Sequence, residues 1–231
     1  MKILITAGGT REDIDSVRGI TNYSTGRLGS YIANRFIQGG DKVTYICSQA
    51  AALPSLSPSL EVIKIRNVAQ LQEKLEQALH TARYDCVIHS MAVSDYSPHG
   101  IATINELDVQ LNDLNLTKPL EGKIQSESPF LVVVLKKQPK IVQRIKEIQP
   151  DTILIGFKLL SGGSEEELIQ AAYKLKDQSQ ADYILANDLK NIYGDSHKAI
   201  LLNQDGVIGS GDTKEEIAQM IYSLVKSGEA K

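Results

Sequence analysis

The sequence is poor in the residue types that build disulfide, metal and membrane-spanning proteins. Its 231 residues include only two cysteines, Cys47 and Cys86, and no tryptophan. Each cysteine lies in an apolar, strand-like run, which predicts a reduced thiol in the core rather than a disulfide or a metal ligand. No stretch approaches the roughly 20 apolar residues of a membrane-spanning helix, and the first residues lack a signal-peptide pattern. We therefore expect a cytoplasmic protein that binds no membrane.

An excess of positive charge is also missing. Lys and Arg total 25 against 28 Asp and Glu, giving a formal net charge of −3. This net charge gives no positive potential over the whole surface, so nucleic acid is not an expected partner. A local site for an anion is compatible with the same net charge. One domain spanning residues 1–231 is the simplest expectation for this length.

Apolar runs alternate with helical patterns along most of the chain. This pattern predicts an α/β fold, Rossmann-like and doubly wound, with a mostly parallel sheet and helices on both faces. The predicted strands are 2–6, 42–47, 62–65, 85–90, 130–136, 152–157, 183–186 and a hairpin of 199–203 with 207–208; the predicted helices are 26–38, 68–82, one after Pro139, 164–177 and one from Thr213. Residues 93–128 show little periodicity and predict a long flap.

The first polar cluster follows the first predicted strand. Gly8 and Gly9 let backbone N–H groups approach an anion closely. The next helix is expected only at Gly26, and its N-terminus is suited to a phosphate, with hydroxyl donors from Ser24 and Thr25. An equally simple interpretation is that Ser24 and Thr25 only cap this helix.

Further polar side chains follow later strands, where open α/β sheets bind ligands. Asp95 is suited to a ribose, an amine or magnesium, or else caps a loop. Phe157 and Lys158 end a predicted strand. Phe157 can lie against a base, and Lys158 can offset phosphate charge. Phe157 can equally be an ordinary core aromatic. Lys123 can reach a polyphosphate or stay solvated, and Asn187 is a ligand contact or a plain turn residue.

Three segments, in this order, resemble the phosphopantothenate–cysteine ligase family: 5–12 with 15–29, then 92–96, then 123–126. The resemblance runs from Ile5 to about Leu189. The third segment keeps only the first lysine of the lysine-rich version found in many bifunctional bacterial enzymes, and with residues 156–158 it resembles the eukaryotic form. Bacterial members typically use CTP and eukaryotic ones accept ATP, so we expect CTP and keep ATP as the alternative.

The resemblance implies a ligase of coenzyme A biosynthesis that uses a nucleotide with Mg²⁺. The 4'-phosphopantothenate carboxylate attacks the α-phosphate, pyrophosphate leaves, and the amine of L-cysteine then displaces the nucleotide from the acyl-nucleotidylate. Such transfers need positioning and charge stabilisation more than a protein nucleophile. The flavin-dependent decarboxylase domain fused to many bacterial homologues is expected to be absent. A homodimer is expected, with the flap of one subunit near the other's site.

The same resemblance gives each site residue an expected role. Asn22 contacts the pantothenate portion and steadies the acyl intermediate, and Lys123 meets the triphosphate; these are the expected catalytic residues. The expected substrate-binding residues are Gly8, Gly9, Arg18, Ser24, Thr25, Gly26 and Asn187. The expected nucleotide-binding residues are Ala92, Asp95, Lys123, Phe157 and Lys158, with Lys174 and Lys176 where the family has further phosphate-binding lysines at a different spacing. The magnesium ligands are not identified.

Two other classes of protein fit parts of the sequence. An NAD(P)-dependent oxidoreductase would explain the glycine-rich first turn, but the second strand ends in Cys47-Ser48-Gln49, without the acidic residue that holds the ribose. A non-enzymatic nucleotide sensor would bind nucleotide without releasing pyrophosphate. No phosphate-binding loop, nucleophile elbow or zinc-type cluster occurs in the sequence.

Overall fold

The computed structural model describes residues 1–104, 116, 122–124, 127–193 and 196–228. Its strands are β1 (Lys2–Ala7), β2 (Arg11–Asp13), β3 (Gly19–Thr21), β4 (Lys42–Ser48), β5 (Leu60–Ile65), β6 (Cys86–His89), β7 (Tyr96–Ile104), β8 (Phe130–Lys137), β9 (Ile153–Leu160), β10 (Tyr183–Tyr193), β11 (Ser196–Leu202) and β12 (Val207–Thr213). Its helices are α1 (Arg27–Gln38), α2 (Val68–Thr81), α3 (Ile141–Ile148), α4 (Glu165–Ser179) and α5 (Lys214–Ser227). No helix of the described ranges is long and apolar enough to cross a membrane.

Eight strands form one sheet in the order β12-β11-β10-β9-β6-β1-β4-β5. The neighbouring pairs from β10 to β5 are parallel, and β11 and β12 complete one edge in antiparallel pairing. The chain order reverses between β1 and β6, and open sheets bind ligands outside the carboxyl ends of strands at such a switch point. The mostly parallel, doubly wound sheet predicted from the sequence is confirmed.

Helices cover both faces of this sheet. Ile3 and Ile5 of β1 pack in the apolar cluster that contains α1 and α5, whereas Leu4 packs in the cluster that contains α2, α3 and α4. Strands buried on both faces read as nearly continuous apolar runs, which is why the sequence revealed them. Cys47 and Cys86 are free and buried in these strands, as expected.

Part of the segment expected to be irregular forms regular structure. β7 pairs antiparallel with β8 in a two-stranded sheet outside the main sheet, so the expectation of an irregular chain from residue 93 was wrong at its start. The register of the β7–β8 pair shifts between Pro98 and Gly100, at a β-bulge. Such a bulge accommodates Pro and Gly, which interrupt the sequence pattern of a strand. Residues 105–115 and 117–121 of the expected flap lie outside the described residues.

Candidate functional site

The loops after β1 and β6 are joined at the switch point. Gly9 and Ala92 form a parallel bridge. The backbone N–H of Thr10 donates to Ala92 O at 3.1 Å, and that of Ala92 donates to Gly8 O at 2.8 Å. Ser94 N donates to Thr10 Oγ1 at 2.9 Å, and this hydroxyl lies 3.0 Å from Ser94 Oγ. Two motifs far apart in the sequence therefore form one rigid corner.

Helix α1 begins at this corner without a side-chain cap. Its N-cap residue is Gly26, with φ +69°, and no side chain caps the first turn, which also contains no acidic residue. Thr25 Oγ1 makes only a long 3.4 Å contact with Arg27 N. The alternative in which Ser24 and Thr25 serve as helix caps was therefore wrong. The first turn presents its N–H groups and the positive end of its dipole to a ligand.

A short hairpin precedes this helix. β2 pairs antiparallel with β3 and returns the chain to Gly9. A Cβ atom on Gly9 would lie 2.6 Å from the carbonyl oxygen of Asn22, so this contact requires glycine. Asn22 itself is exposed beside the corner. The sequence did not reveal the hairpin, because three-residue strands are too short to show a period.

A cavity of about 300 Å³ opens at this edge of the sheet. The sequence-predicted residues that it brings together are Ser24, Thr25, Gly26, Ala92, Phe157 and Asn187. Leu159 and Leu189, each about half exposed, extend the apolar wall that Phe157 begins. The cavity thus combines an apolar wall, suited to a ring or an alkyl chain, with a helix N-terminus suited to an anion.

The cavity is electropositive. Arg27 and Lys214 line it, and each belongs to the first turn of a helix, α1 and α5 respectively. No Asp or Glu occurs among the described residues that line it. Two cations and two helix N-termini without a lining carboxylate favour an anionic ligand.

Arg18 and Lys123 are connected through a buried carboxylate rather than through the cavity. Arg18 Nη2 donates to Asp15 Oδ2 at 2.6 Å, and the backbone N–H of Ile124 donates to the same oxygen at 3.1 Å. The hydrogen bond from Arg18, aided by backbone N–H groups, holds the pKa of Asp15 well below its usual range. Lys123 is exposed next to the buried Ile124. Gln125 and Ser126 of this motif lie outside the described residues.

Asp95 lies outside the cavity lining. Its Oδ1 accepts a hydrogen bond from Lys140 Nζ at 2.5 Å, and both side chains are about half exposed. The backbone N–H of Gln138 donates to Asp95 O at 2.8 Å, which ties this loop to the end of β8. Asp95 therefore orders the loop after β6, and its expected contact with a nucleotide stays a prediction.

Three expected phosphate-binding lysines are not brought to the cavity. Lys158 follows Phe157 within β9, and successive side chains of a strand point to opposite faces of the sheet. Lys174 and Lys176 lie in the second half of α4, which runs back from the carboxyl edge of β9 towards the start of β10. Neither lysine lines the cavity.

His197 and Lys214 line the cavity, and the sequence did not single them out. His197 Nε2 lies 3.3 Å from Asn187 Nδ2, and its buried Nδ1 has no partner among the described residues. Burial, with the charge of Lys214 second, lowers the pKa of His197 to about 4, so the imidazole is neutral near pH 7. Both residues reach the carboxyl end of the parallel strands only through the pairing of distant strands. No local sequence pattern therefore marks either of them.

The fold and cavity define an α/β protein that binds an anionic ligand at the switch point of its sheet. Over residues 1–228 the chain matches the family described as DNA/pantothenate metabolism flavoprotein C-terminal domain. The chain belongs to this family, which confirms the resemblance found in the sequence.

Curated relatives carry the family domain as part of longer chains. The coenzyme A biosynthesis bifunctional protein CoaBC of Thermococcus kodakarensis is 35% identical over 226 residues, covering 97% of this chain and 51% of the relative. The CoaBC protein of Methanocaldococcus jannaschii is 31% identical over 228 residues, covering 97% of this chain and 50% of the relative. The chain thus spans about half the length of these relatives.

Solved structures share the whole fold. The DNA/pantothenate metabolism flavoprotein of Streptococcus pneumoniae is 38% identical, with a TM-score of 0.90 and 99% of both chains covered. The Cab2 mutant H337A in complex with phosphopantothenate-cysteine has a TM-score of 0.73 at 17% identity, covering all of this chain and 89% of Cab2. At that identity the likeness shows the fold alone.

Proposed function

We propose that the protein joins 4'-phosphopantothenate to L-cysteine in coenzyme A biosynthesis, with activation of the carboxylate by a nucleoside triphosphate. The observation that carries this proposal is the electropositive cavity at the switch point, with the uncapped N-terminus of α1 on one wall and Phe157 on another. The names of the CoaBC relatives and the product bound to Cab2 agree with it.

The proposed reaction has two steps. The phosphopantothenate carboxylate oxygen bonds to the α-phosphorus while the bond from that phosphorus to pyrophosphate breaks. The cysteine nitrogen then bonds to the acyl carbon, the nucleoside monophosphate leaves, and the amine loses a proton. Neither step requires a covalent bond to the protein, so orientation and charge stabilisation are the tasks of the chain.

These tasks are divided between residues that line the cavity and four residues outside its lining, Gly8, Gly9, Asn22 and Lys123. The first turn of α1 and the backbone of Gly8 and Gly9 receive phosphate oxygens, while Phe157 packs against the base or its ribose. Asn22 contacts the pantothenate portion beside Gly9. Lys123 lies at the end of a segment that Asp15 fixes, and from there it reaches the triphosphate.

Magnesium enters this scheme as part of the nucleotide substrate. Within the described ranges, no three His, Cys, Asp or Glu side chains cluster to hold a metal ion. Mg²⁺ commonly keeps several waters and binds through substrate phosphates with one or two carboxylates, so a nucleotide-bound ion suits a cavity without carboxylates in its described lining. The cosubstrate is CTP in our proposal, and ATP is the alternative.

A homodimer is part of the proposal. The segment 130–135 is Phe-Leu-Val-Val-Val-Leu, and it belongs to a two-stranded sheet outside the main sheet. Phe130, Leu131 and Leu135 remain 38–42% exposed. A two-stranded sheet is marginally stable alone, and an exposed apolar strand is a favourable docking surface. We therefore assign the arm formed by β7 and β8 to contact with a second copy of the chain.

Pyrophosphate release tests the proposed function. Purified protein is incubated with 4'-phosphopantothenate, Mg²⁺ and cysteine, and CTP is compared with ATP. A parallel single-turnover reaction omits cysteine and should stop at the acyl-nucleotidylate. Release that depends on phosphopantothenate and prefers one nucleotide is the expected result. No release with either nucleotide would contradict the ligase and favour a dinucleotide enzyme or a nucleotide sensor.

A further inference from the structure

Lys214 is a cation without a partner in the wall of the cavity. It is the first residue of α5, it is 9% exposed, and it lines the cavity together with His197. Its side chain forms no hydrogen bond or ion pair with any described residue. The other lining cation, Arg27, is exposed to solvent.

The position of Lys214 is unfavourable for the unliganded protein. The Lys214 side chain is largely buried, so its ammonium keeps only the hydration that the cavity allows, and the positive end of a helix dipole repels a cation placed in the first turn. The acidic residues of that turn do not pair with it: Glu215 is exposed, and Glu216 Oε2 accepts a hydrogen bond from Asp212 N at 2.8 Å. The neighbouring His197 adds no negative charge, since it is neutral or cationic at any pH of interest. A bound anion would offset these costs.

We propose that Lys214 binds the anionic oxygen group of a substrate, a phosphate or a carboxylate, on the cavity wall formed by β9, β10, β11 and α5. This inference deepens the proposed function and rests on it. The anion site at α1 lies in a different element, so the cavity has two separate positions for negative charge. The proposed reaction supplies both groups: phosphates in the nucleotide and phosphopantothenate, and a carboxylate in cysteine.

Thermal unfolding of the protein tests the binding without any need for turnover. Wild type, Lys214→Met and Lys214→Arg are melted alone and with pyrophosphate, 4'-phosphopantothenate, CTP with Mg²⁺, or cysteine. Lys42→Met is the matched control, because Lys42 is exposed at the start of β4, whereas the cavity lies at the carboxyl ends of the parallel strands. Lys214→Met should have the same Tm as wild type or a higher one, since an unpaired charge is removed from a largely buried side chain at a helix N-terminus.

At least one probe should raise the Tm of Lys214→Met by less than half of the rise seen with wild type. Lys214→Arg should keep most of the response, and Lys42→Met all of it. Equal responses of wild type and Lys214→Met to every probe would overturn the proposal. A Tm several degrees lower for unliganded Lys214→Met would also overturn it, because the ammonium would then stabilise the fold rather than a ligand.

Steady-state kinetics identify which anion Lys214 holds. The KM of one reactant should rise tenfold or more in Lys214→Met, with kcat within about threefold. A rise for the nucleotide or for phosphopantothenate assigns a phosphate. A rise for cysteine assigns its carboxylate, and cysteamine, which lacks the carboxylate, should then serve wild type and variant equally well. Three unchanged KM values would overturn the proposal.

The two hypotheses fail in different ways. If wild type releases no pyrophosphate under any condition, the proposed function is wrong, while the melting curves with pyrophosphate still report on the anion site. If wild type is an active ligase and Lys214→Met matches it in both experiments, only the role of Lys214 is wrong.

Discussion

The carboxylate of Asp15 accepts a hydrogen bond of 3.1 Å from the backbone N–H of Ile124, across 109 residues of sequence. The carboxylate is fully buried and also holds Arg18, whose Nη2 donates a further 3.2 Å bond to Ile124 O. This junction fixes the residue next to Lys123 to the loop between β2 and β3. The position of an exposed lysine thus depends on a buried carboxylate.

Replacing Asp15 with Asn should separate these two segments. The amide has no negative charge for Arg18 and cannot accept as strongly from the Ile124 N–H, so Lys123 loses its fixed position. We expect kcat/KM for pyrophosphate release to fall by roughly tenfold or more, which corresponds to about 1.4 kcal/mol of transition-state stabilisation.

Asp13→Asn is the matched control for this change. Asp13 also pairs with arginines, Arg11 and Arg66, but it is partly exposed and does not contact Ile124. Its activity should stay within about twofold of wild type. Equal activity of the two variants would show that the junction does not position Lys123.

The buried histidine of β6 should make stability depend on pH. His89 Nδ1 lies 2.9 Å from Thr6 Oγ1, and burial lowers the pKa of His89 to about 4. The unfolded chain has a histidine pKa near 6.5. Between these values the unfolded state binds more protons than the folded state, so stability falls as the pH falls. His197, whose pKa burial also lowers to about 4, acts in the same direction.

Chemical unfolding of His89→Gln between pH 7 and pH 4 measures this effect. The slope of the free energy of unfolding against pH should decrease by up to one proton, or about 1.4 kcal/mol per pH unit. An undiminished slope in His89→Gln would contradict a neutral buried His89.

The sequence predicted the main sheet well because its strands are buried on both faces and its helices carry local end signals. It did not predict which strands become neighbours, and this explains why His197 and Lys214 were missed: each reaches the cavity only through the pairing of β10, β11 and β12. Lys158 was misplaced for a local reason. β9 continues to Leu160, so Lys158 lies within the strand on the opposite face from Phe157 rather than at its tip.

A methyl group on Gly26 should damage both stability and activity. Gly26 has φ +69°, and a Cβ atom there would lie 2.9 Å from Ala51 Cβ and 3.1 Å from Gly8 N. Gly40→Ala is a matched control, since Gly40 has φ +80° and a Cβ atom there would meet no other atom within 4 Å. Each change costs about 1–2 kcal/mol in the left-handed conformation.

Only Gly26→Ala adds a close contact with Gly8, in the corner formed by the loops after β1 and β6. Its free energy of unfolding should therefore fall further than that of Gly40→Ala, and its pyrophosphate release should be at least tenfold slower. Guanidinium unfolding and the release assay measure the two effects. Equal losses of stability in the two variants would show that the corner adjusts to the methyl group.

A charge on the arm should dissociate the proposed homodimer. Leu131→Lys and Leu135→Lys place ammonium groups on the exposed apolar strand β8, and burying them in an interface is costly. Sedimentation velocity should show a dimer for wild type and a monomer for both variants at the same concentration. Val62→Lys is the control, on the partly exposed edge strand β5. A monomeric wild type, or dimers in both arm variants, would contradict this interface.

Asn22 and Lys123 should affect different steps of the proposed reaction. Both side chains are exposed, so replacing them with alanine should leave the fold intact. Lys123→Ala removes the positive charge that we propose meets the triphosphate, and it should slow the first step, with less pyrophosphate released in a single turnover without cysteine. Asn22→Ala removes the proposed contact to the acyl intermediate, and it should mainly slow the second step, so acyl-nucleotidylate accumulates when cysteine is present.

Rapid quench of a single turnover separates the two steps, with labelled phosphopantothenate followed through intermediate and product. Lys42→Ala, at an exposed lysine at the start of β4, serves as the control for loss of positive charge. Near-normal turnover in both Lys123→Ala and Asn22→Ala would contradict the site assignment. A first step slowed by Asn22→Ala as much as by Lys123→Ala would instead place both residues at the triphosphate, because a contact made only to the acyl intermediate leaves the preceding step unchanged.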